Sequence, residues 1–180
     1  MAHHTLCAVL LNPPVGTPVQ TPTYKNLVSA LSVIGCDLLE VVNLLDIPSK
    51  GLDALGDARV EVADIMRSRE AIEASMGRAH ELLFAWGTSV VRGRYANILA
   101  EQIAWVHRLA HNSDIREVWM LAGDPRHPSR WRQYVGPQKG RISGNTFEER
   151  LAKALVRYPL TSTASYSLRP ASTALSTNES

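Results

Sequence analysis

Four positions with chemically useful side chains stand at or near the ends of apolar runs. Asn12 follows TLCAVLL, Asn43 lies in DLLEVVNLLDI, Trp86-Gly87-Thr88 closes ELLFAWGT, and His127 sits in GDPRHPSRWRQYVG after EVWMLA. An asparagine amide reads a carbonyl and a neighbouring N–H together, which suits a nucleobase edge or another flat amide. A histidine beside such a ligand donates a hydrogen bond or carries positive charge near an anion. Each residue also has a plain structural use. Asn-Pro is a common turn initiator, an amide flanked by Val42 and Leu44 ties down a loop backbone, Trp86 fills a core, and a loop histidine is solvated.

The segment after EVWMLA carries the strongest local charge in the chain. Arg126, Arg130, Arg132, Lys139 and Arg141 face a single acid, Asp124, and they are interleaved with Ser129, Trp131 and Tyr134. Cations alternating with aromatic rings fit phosphates and stacked bases. The plain alternative is a solvated basic loop with Trp131 folded back onto the core. GPQKGRISGN adds glycines that let backbone N–H groups approach a phosphate, but the order of a Walker A loop is absent. His107 and His111 are four apart on an expected helix, a spacing that can bind metal. Arg108 follows His107, so an H-E-x-x-H pattern is missing, and a solvated helix face is expected. No metal and no cofactor is expected.

These positions gather only if the apolar runs are strands of one sheet. TLCAVLL, at 5–11, is short and stops at Asn-Pro-Pro, and strands are also expected at 38–44, in ELLFAW and in EVWMLA. Between them lie amphipathic stretches. TPTYKNLVSALSVIG opens on Thr-Pro, closes on Gly35, and carries Leu27, Leu31 and Ile34 on one face. A loop is expected over 45–57, then one broken helix or two short ones from Asp57 to Arg78. RYANILAEQIAWVHRLAH has a stripe of Leu99, Ile103, Val106 and Ala110. A last helix is expected in GNTFEERLAKALVRY, with Asn145 and Glu148 as its capping box.

Strands alternating with helices predict an α/β fold: a parallel four-stranded sheet between two helical layers. Ligands of such sheets sit at the carboxyl ends of the strands, where Asn12, Asn43, Trp86 or Thr88, and His127 would converge. Residues 1–159 are expected to form one domain. The Ser/Thr-rich segment 160–180 has no apolar period and is expected to be a disordered tail.

The chain has 180 residues and a net charge of +2, which excludes a strongly basic protein as a whole. LCAVLL is too short to span a membrane and lacks the basic flank of a secretion signal. Cys7 and Cys36 form no spaced pattern, so reduced core cysteines of a cytoplasmic protein are expected.

Taken in order, LLNPP, TPTYKNL, LEVVNLL, LLFAWG and GDPRHPS resemble the bacterial family called domain of unknown function 1643, over about Leu10 to Pro128. A more distant resemblance is to the uracil-DNA glycosylase superfamily, which implies the strand order 2-1-3-4. It implies that Asn12 positions the attacking water, Asn43 reads the base, and His127 in His127-Pro128-Ser129 stabilises charge on the leaving base. Arg130, Trp131 and Arg132 would enter the DNA stack. The water-activating aspartate of that superfamily has no counterpart here, since Pro13 and Pro14 follow Asn12. An asparagine orients water but takes no proton from it at neutral pH. The expectation is a nucleobase- or nucleotide-binding protein of glycosylase type, with N-glycosidic cleavage on DNA or a nucleoside as the reaction this reading offers. The alternatives are a non-catalytic nucleic-acid-binding module gripping through 124–141, and a domain for a metabolite or an acidic protein partner.

Overall fold

The computed structural model describes residues 3–49, 61–89, 95–137 and 142–160. The expected tail beyond Leu160, most of the loop over 45–57, and Lys139 and Arg141 lie outside the described residues.

Five strands form one mixed sheet in the order β2-β1-β3-β4-β5. They are β1 (Thr5–Leu10), β2 (Leu38–Asn43), β3 (Glu81–Phe84), β4 (Glu117–Leu121) and β5 (Leu155–Pro159). The first four are parallel, and β5 pairs antiparallel with β4, Leu121 opposite Leu155 and Glu117 opposite Pro159. Central β1 is buried along its whole length, as expected for a parallel strand covered on both faces.

Helices cover both sides. Cys7, Val9, Leu11, Phe84 and Met120 pack beneath α2 (Val62–Met76) and α3 (Tyr95–His111). Leu6, Ala8, Leu10, Leu83 and Leu121 face α1 (Pro22–Ile34) on the other side, with the short α4 (Trp131–Tyr134) and α5 (Phe147–Ala154). The alternation along β1 sends Cys7 and Val9 to one layer and Leu6 and Ala8 to the other. Each fully buried leucine contributes about 1.5–3 kcal/mol.

The start and stop signals of α1 work as read. Thr21 caps it by accepting from the Tyr24 N–H at 3.2 Å, Pro22 opens it, and Gly35 closes it at φ 83°. At α5 the signal moves by one residue. Thr146, not Asn145, is the cap, accepting from the Glu149 N–H at 3.1 Å, while the Glu149 carboxylate accepts from the Asn145 N–H at 2.7 Å.

The largest departure from expectation is the end of that helix. A helix running on through Tyr158 would leave one edge of β4 unpaired. Instead α5 stops at Ala154 and the chain turns directly into β5. Arg157 then pairs with Glu81 at 2.6 Å and lies over Trp119 at 4.7 Å, while the Trp119 indole N–H donates to Glu81 at 2.9 Å. The sheet is therefore five-stranded and mixed rather than four-stranded and parallel.

Candidate functional site at the carboxyl edge of the sheet

β2 lies to one side of β1, while β3 and β4 lie to the other, so the strand order reverses between β1 and β3. Ligands of open α/β sheets bind outside the carboxyl ends of the strands at such a point. The register makes the edge level: Leu10 is opposite Asn43, and Val9 is opposite Phe84.

The loop bearing His127 is steered onto this edge by a tight turn. Ala122 and Gly123 have φ of 51° and 85°, and the Asp124 N–H returns to the Leu121 carbonyl at 3.2 Å. Consecutive positive φ values mark a turn of the type I′ kind, which reverses the chain sharply. Gly87, at φ 102°, then donates its N–H to the Pro125 carbonyl at 2.5 Å. A methyl group on Gly87 would stand 3.5 Å from the His127 Cβ. His127 is thus held beside the end of β3.

The ring of His127 has a defined chemistry. Its Nδ1 accepts from the Ser129 backbone N–H at 3.3 Å and lies 2.9 Å from the Ser129 hydroxyl. A backbone N–H can only donate, so Nδ1 carries no proton and the neutral ring holds its proton on Nε2. Burial lowers the His127 pKa below the ordinary histidine value, and nearby Arg130 lowers it further. Near neutral pH the ring is therefore a neutral Nε2–H donor.

Asn12 ties the ends of β1 and β2 together. Its amide nitrogen donates to the Pro13 carbonyl at 3.1 Å and to the Ser49 hydroxyl at 3.0 Å. Its NH₂ group is spent on this clamp. Asn43 differs: its side-chain oxygen is sealed from solvent and has no hydrogen-bond partner. The residue borders an open recess of about 230 Å³ beside β2 and α2, to which that oxygen is not exposed.

The aromatic and basic residues divide. Trp86 does not face the crevice: its ring packs 4.7 Å from Phe84 and meets the edge of His107 at 5.8 Å, inside the α2–α3 layer. His107 is consequently not on a solvated face, and burial lowers its pKa. Thr88 is exposed just past Gly87. Trp131 is fully buried among Leu6, Leu27 and Leu151, with its N–H donating to the Arg126 carbonyl at 2.7 Å. A ring so enclosed is no surface wedge. Arg126 pairs with Asp124 at 2.6 Å and covers Tyr134 at 4.3 Å. Arg132 covers Phe147 at 4.3 Å. Arg130 is exposed and, among the described residues, reaches Gln133 at 3.5 Å.

Two residues that position the site were not singled out in the sequence. Buried Asn26 on α1 donates to the Pro128 carbonyl at 2.7 Å and accepts from the Arg132 Nε at 3.1 Å. Buried Gln102 on α3 donates to the Leu44 carbonyl at 2.8 Å and accepts from Arg69 at 2.7 Å. Among the described residues no group of three or more His, Cys, Asp or Glu side chains is placed to hold a metal ion. Cys7 and Cys36 are buried free thiols, and burial pushes the Cys7 thiol up to about 11. No helix among the described residues is long and apolar enough to cross a membrane.

Fold and edge together define an α/β protein with a mixed, mostly parallel five-stranded sheet and polar side chains at its carboxyl end. The model of a family described as "protein of unknown function (DUF1643)" matches residues 2–129, and the chain belongs to that family. The match takes in β1 to β4, Asn12, Asn43 and His127. No curated protein and no solved structure matches the chain.

Proposed function

We propose that the carboxyl edge binds a nucleobase-containing ligand, with Asn43 reading the base and His127 donating from Nε2. The observation that carries this reading is the side-chain oxygen of Asn43, sealed and without a partner. A buried amide oxygen left unpaired costs about 1–3 kcal/mol, and a ligand N–H would remove that cost once the side chain turns out to meet it. The neutral Nε2–H of His127 supplies a donor suited to a base carbonyl. The resemblance of LLNPP, VVNLL and HPS to uracil-DNA glycosylases points the same way, and N-glycosidic cleavage is the reaction that resemblance suggests.

A second reading, binding without cleavage, is favoured by the carboxylates of this edge. Among the described residues Asp124 is paired with Arg126, and Asp46 with Arg67 at 3.2 Å. A carboxylate already paired with a guanidinium is a weak base for water. In this reading exposed Arg130 meets a phosphate.

Labelled single-stranded DNA and uracil- or mismatch-containing duplexes, titrated at two salt concentrations and checked for abasic sites, separate the two. Abasic product lost in His127→Ala supports cleavage. Salt-sensitive binding without product, weakened by Arg130→Glu, supports the binding module. Equal binding of free bases and DNA by wild type and Asn43→Ala would remove the base-reading role.

A further inference from the structure

We propose that the outer edge of β2 is a docking site for a partner protein, which adds an extended segment bearing lysine or arginine as a further strand of the sheet. This flank lies opposite β5 and is independent of the carboxyl-edge reading. β2 ends the sheet and, among the described residues, pairs with β1 alone. The Leu38 and Leu44 N–H groups donate to the His4 and Leu10 carbonyls at 3.2 and 2.8 Å. In a parallel ladder every second residue turns both its backbone groups to the same neighbour. Leu39, Val41 and Asn43 therefore turn their N–H and C=O groups outward, where no described residue pairs with them.

The two edges of the sheet are built differently. β5 carries exposed Arg157 and exposed Pro159, a charge and a missing N–H that both deter strand addition. β2 has no proline and no cation, and its Leu38 and Val41 are 45% and 37% exposed. Its one charged side chain, Glu40, is drawn onto Ser75 and Arg78. Beside this edge α2 leaves the open recess bordered by Val41, Val42, Arg67 and Ala71. An added strand takes its affinity from the outward backbone groups and sets alternate side chains toward that recess.

Charge selects the partner. Residues 37–46 and 61–78, which hold β2, α2 and their flanks, carry seven carboxylates and three guanidinium groups, on a chain with 19 bases and 17 acids. A second copy pairing β2 with β2 would bring two acidic flanks together, which opposes association. A cationic segment is attracted instead. Its apolar side chains cover Leu38 and Val41, and its cations meet this carboxylate excess, half-exposed Asp46 among it.

The test selects phage-displayed random octapeptides on the full chain. Enriched peptides are then titrated into wild type, Val41→Pro and Leu38→Lys at two salt concentrations. The Val41 N–H points outward, so proline there removes a donor to the added strand and leaves the ladder to β1 intact. Leu38→Lys changes an exposed side chain and puts a cation on the edge, which keeps the test sound if the proline variant does not fold. The expected peptides alternate apolar or β-branched residues with bases, and bind less tightly as salt rises. Their affinity should fall about tenfold or more in both variants, and they should slow amide exchange at Leu39, Val41 and Asn43. A selection that enriches nothing, peptides without bases, or equal binding to wild type and both variants would overturn the proposal. A dimer that alone protects those three amides would give the edge to a second copy of the chain, and would overturn it too.

Discussion

The Asn26 amide donates to the carbonyl of Pro128 at 2.7 Å across 102 positions of sequence, fixing the residue next to His127 against α1. The same side chain accepts from Arg132, so one buried amide holds the basic loop at two points. Asn26→Ala leaves a buried carbonyl without its donor, which costs about 1–3 kcal/mol. Chemical denaturation should show a loss of that size. Asn26→Asp keeps the acceptor for Arg132 but cannot donate to Pro128 when ionised. It should therefore be destabilised too, and recovery of wild-type stability in Asn26→Asp would show that the Pro128 bond contributes little.

Ala122 has a φ of 51°, a region that costs a residue with a Cβ about 1–2 kcal/mol. Ala122→Gly should therefore leave stability unchanged or raise it by up to about 1 kcal/mol, the glycine's extra unfolded-state entropy offsetting part of the relief. Gly123→Ala should do the reverse, since its Cβ would fall 2.6 Å from the Tyr158 hydroxyl oxygen at a φ of 85°. Melting temperatures of the two variants should move in opposite directions or only the second should fall. A neutral Gly123→Ala would show that the turn is not fixed by its backbone.

Stability should decline on acidification below about pH 6.5, the ordinary histidine value. His107 and His127 both have pKa values lowered, chiefly by burial. The unfolded chain then takes up these protons before the folded one does. The stability they contribute is fully present above the unfolded value and is lost as pH falls toward and through the folded values. Unfolding free energies measured from pH 7.5 to 5 should show this slope, and His107→Gln with His127→Gln should flatten it. An unchanged slope in the double variant would assign the effect to other groups.

Local signals in the sequence were good guides to local structure. Thr21, Pro22 and Gly35 bracket α1 because cap and stop chemistry act within one helical turn. The four apolar runs became strands because each is short and abruptly ended. Residues 155–158 read as helix because Leu151, Ala154 and Leu155 continue a helical stripe. What draws them into β5 is pairing with β4, more than 30 positions away, and no local pattern carries that information. Asn26 and Gln102 were missed for the same reason. Each interrupts an apolar face, and its partner, the carbonyl of Pro128 or Leu44, lies far off in sequence. A buried-face amide was the available signal, the same one that singled out Asn43.

Trp131 separates the two uses of an aromatic residue in a basic loop. As a wedge entering a base stack it would be exposed, and its loss would weaken DNA binding while sparing stability. The structure encloses its ring completely and bonds its N–H to the Arg126 carbonyl at 2.7 Å. Trp131→Phe keeps most of the packing but leaves that carbonyl without its donor and a small gap beside it. The expected cost is about 1–3 kcal/mol, with Trp131→Ala nearer 3–5 kcal/mol. Urea denaturation of both variants, alongside the DNA titration of Trp131→Phe, distinguishes the roles. The expected result is lower stability with DNA affinity unchanged wherever the variant is folded. Intact stability with weakened DNA binding would return Trp131 to the surface and make it part of the ligand contact.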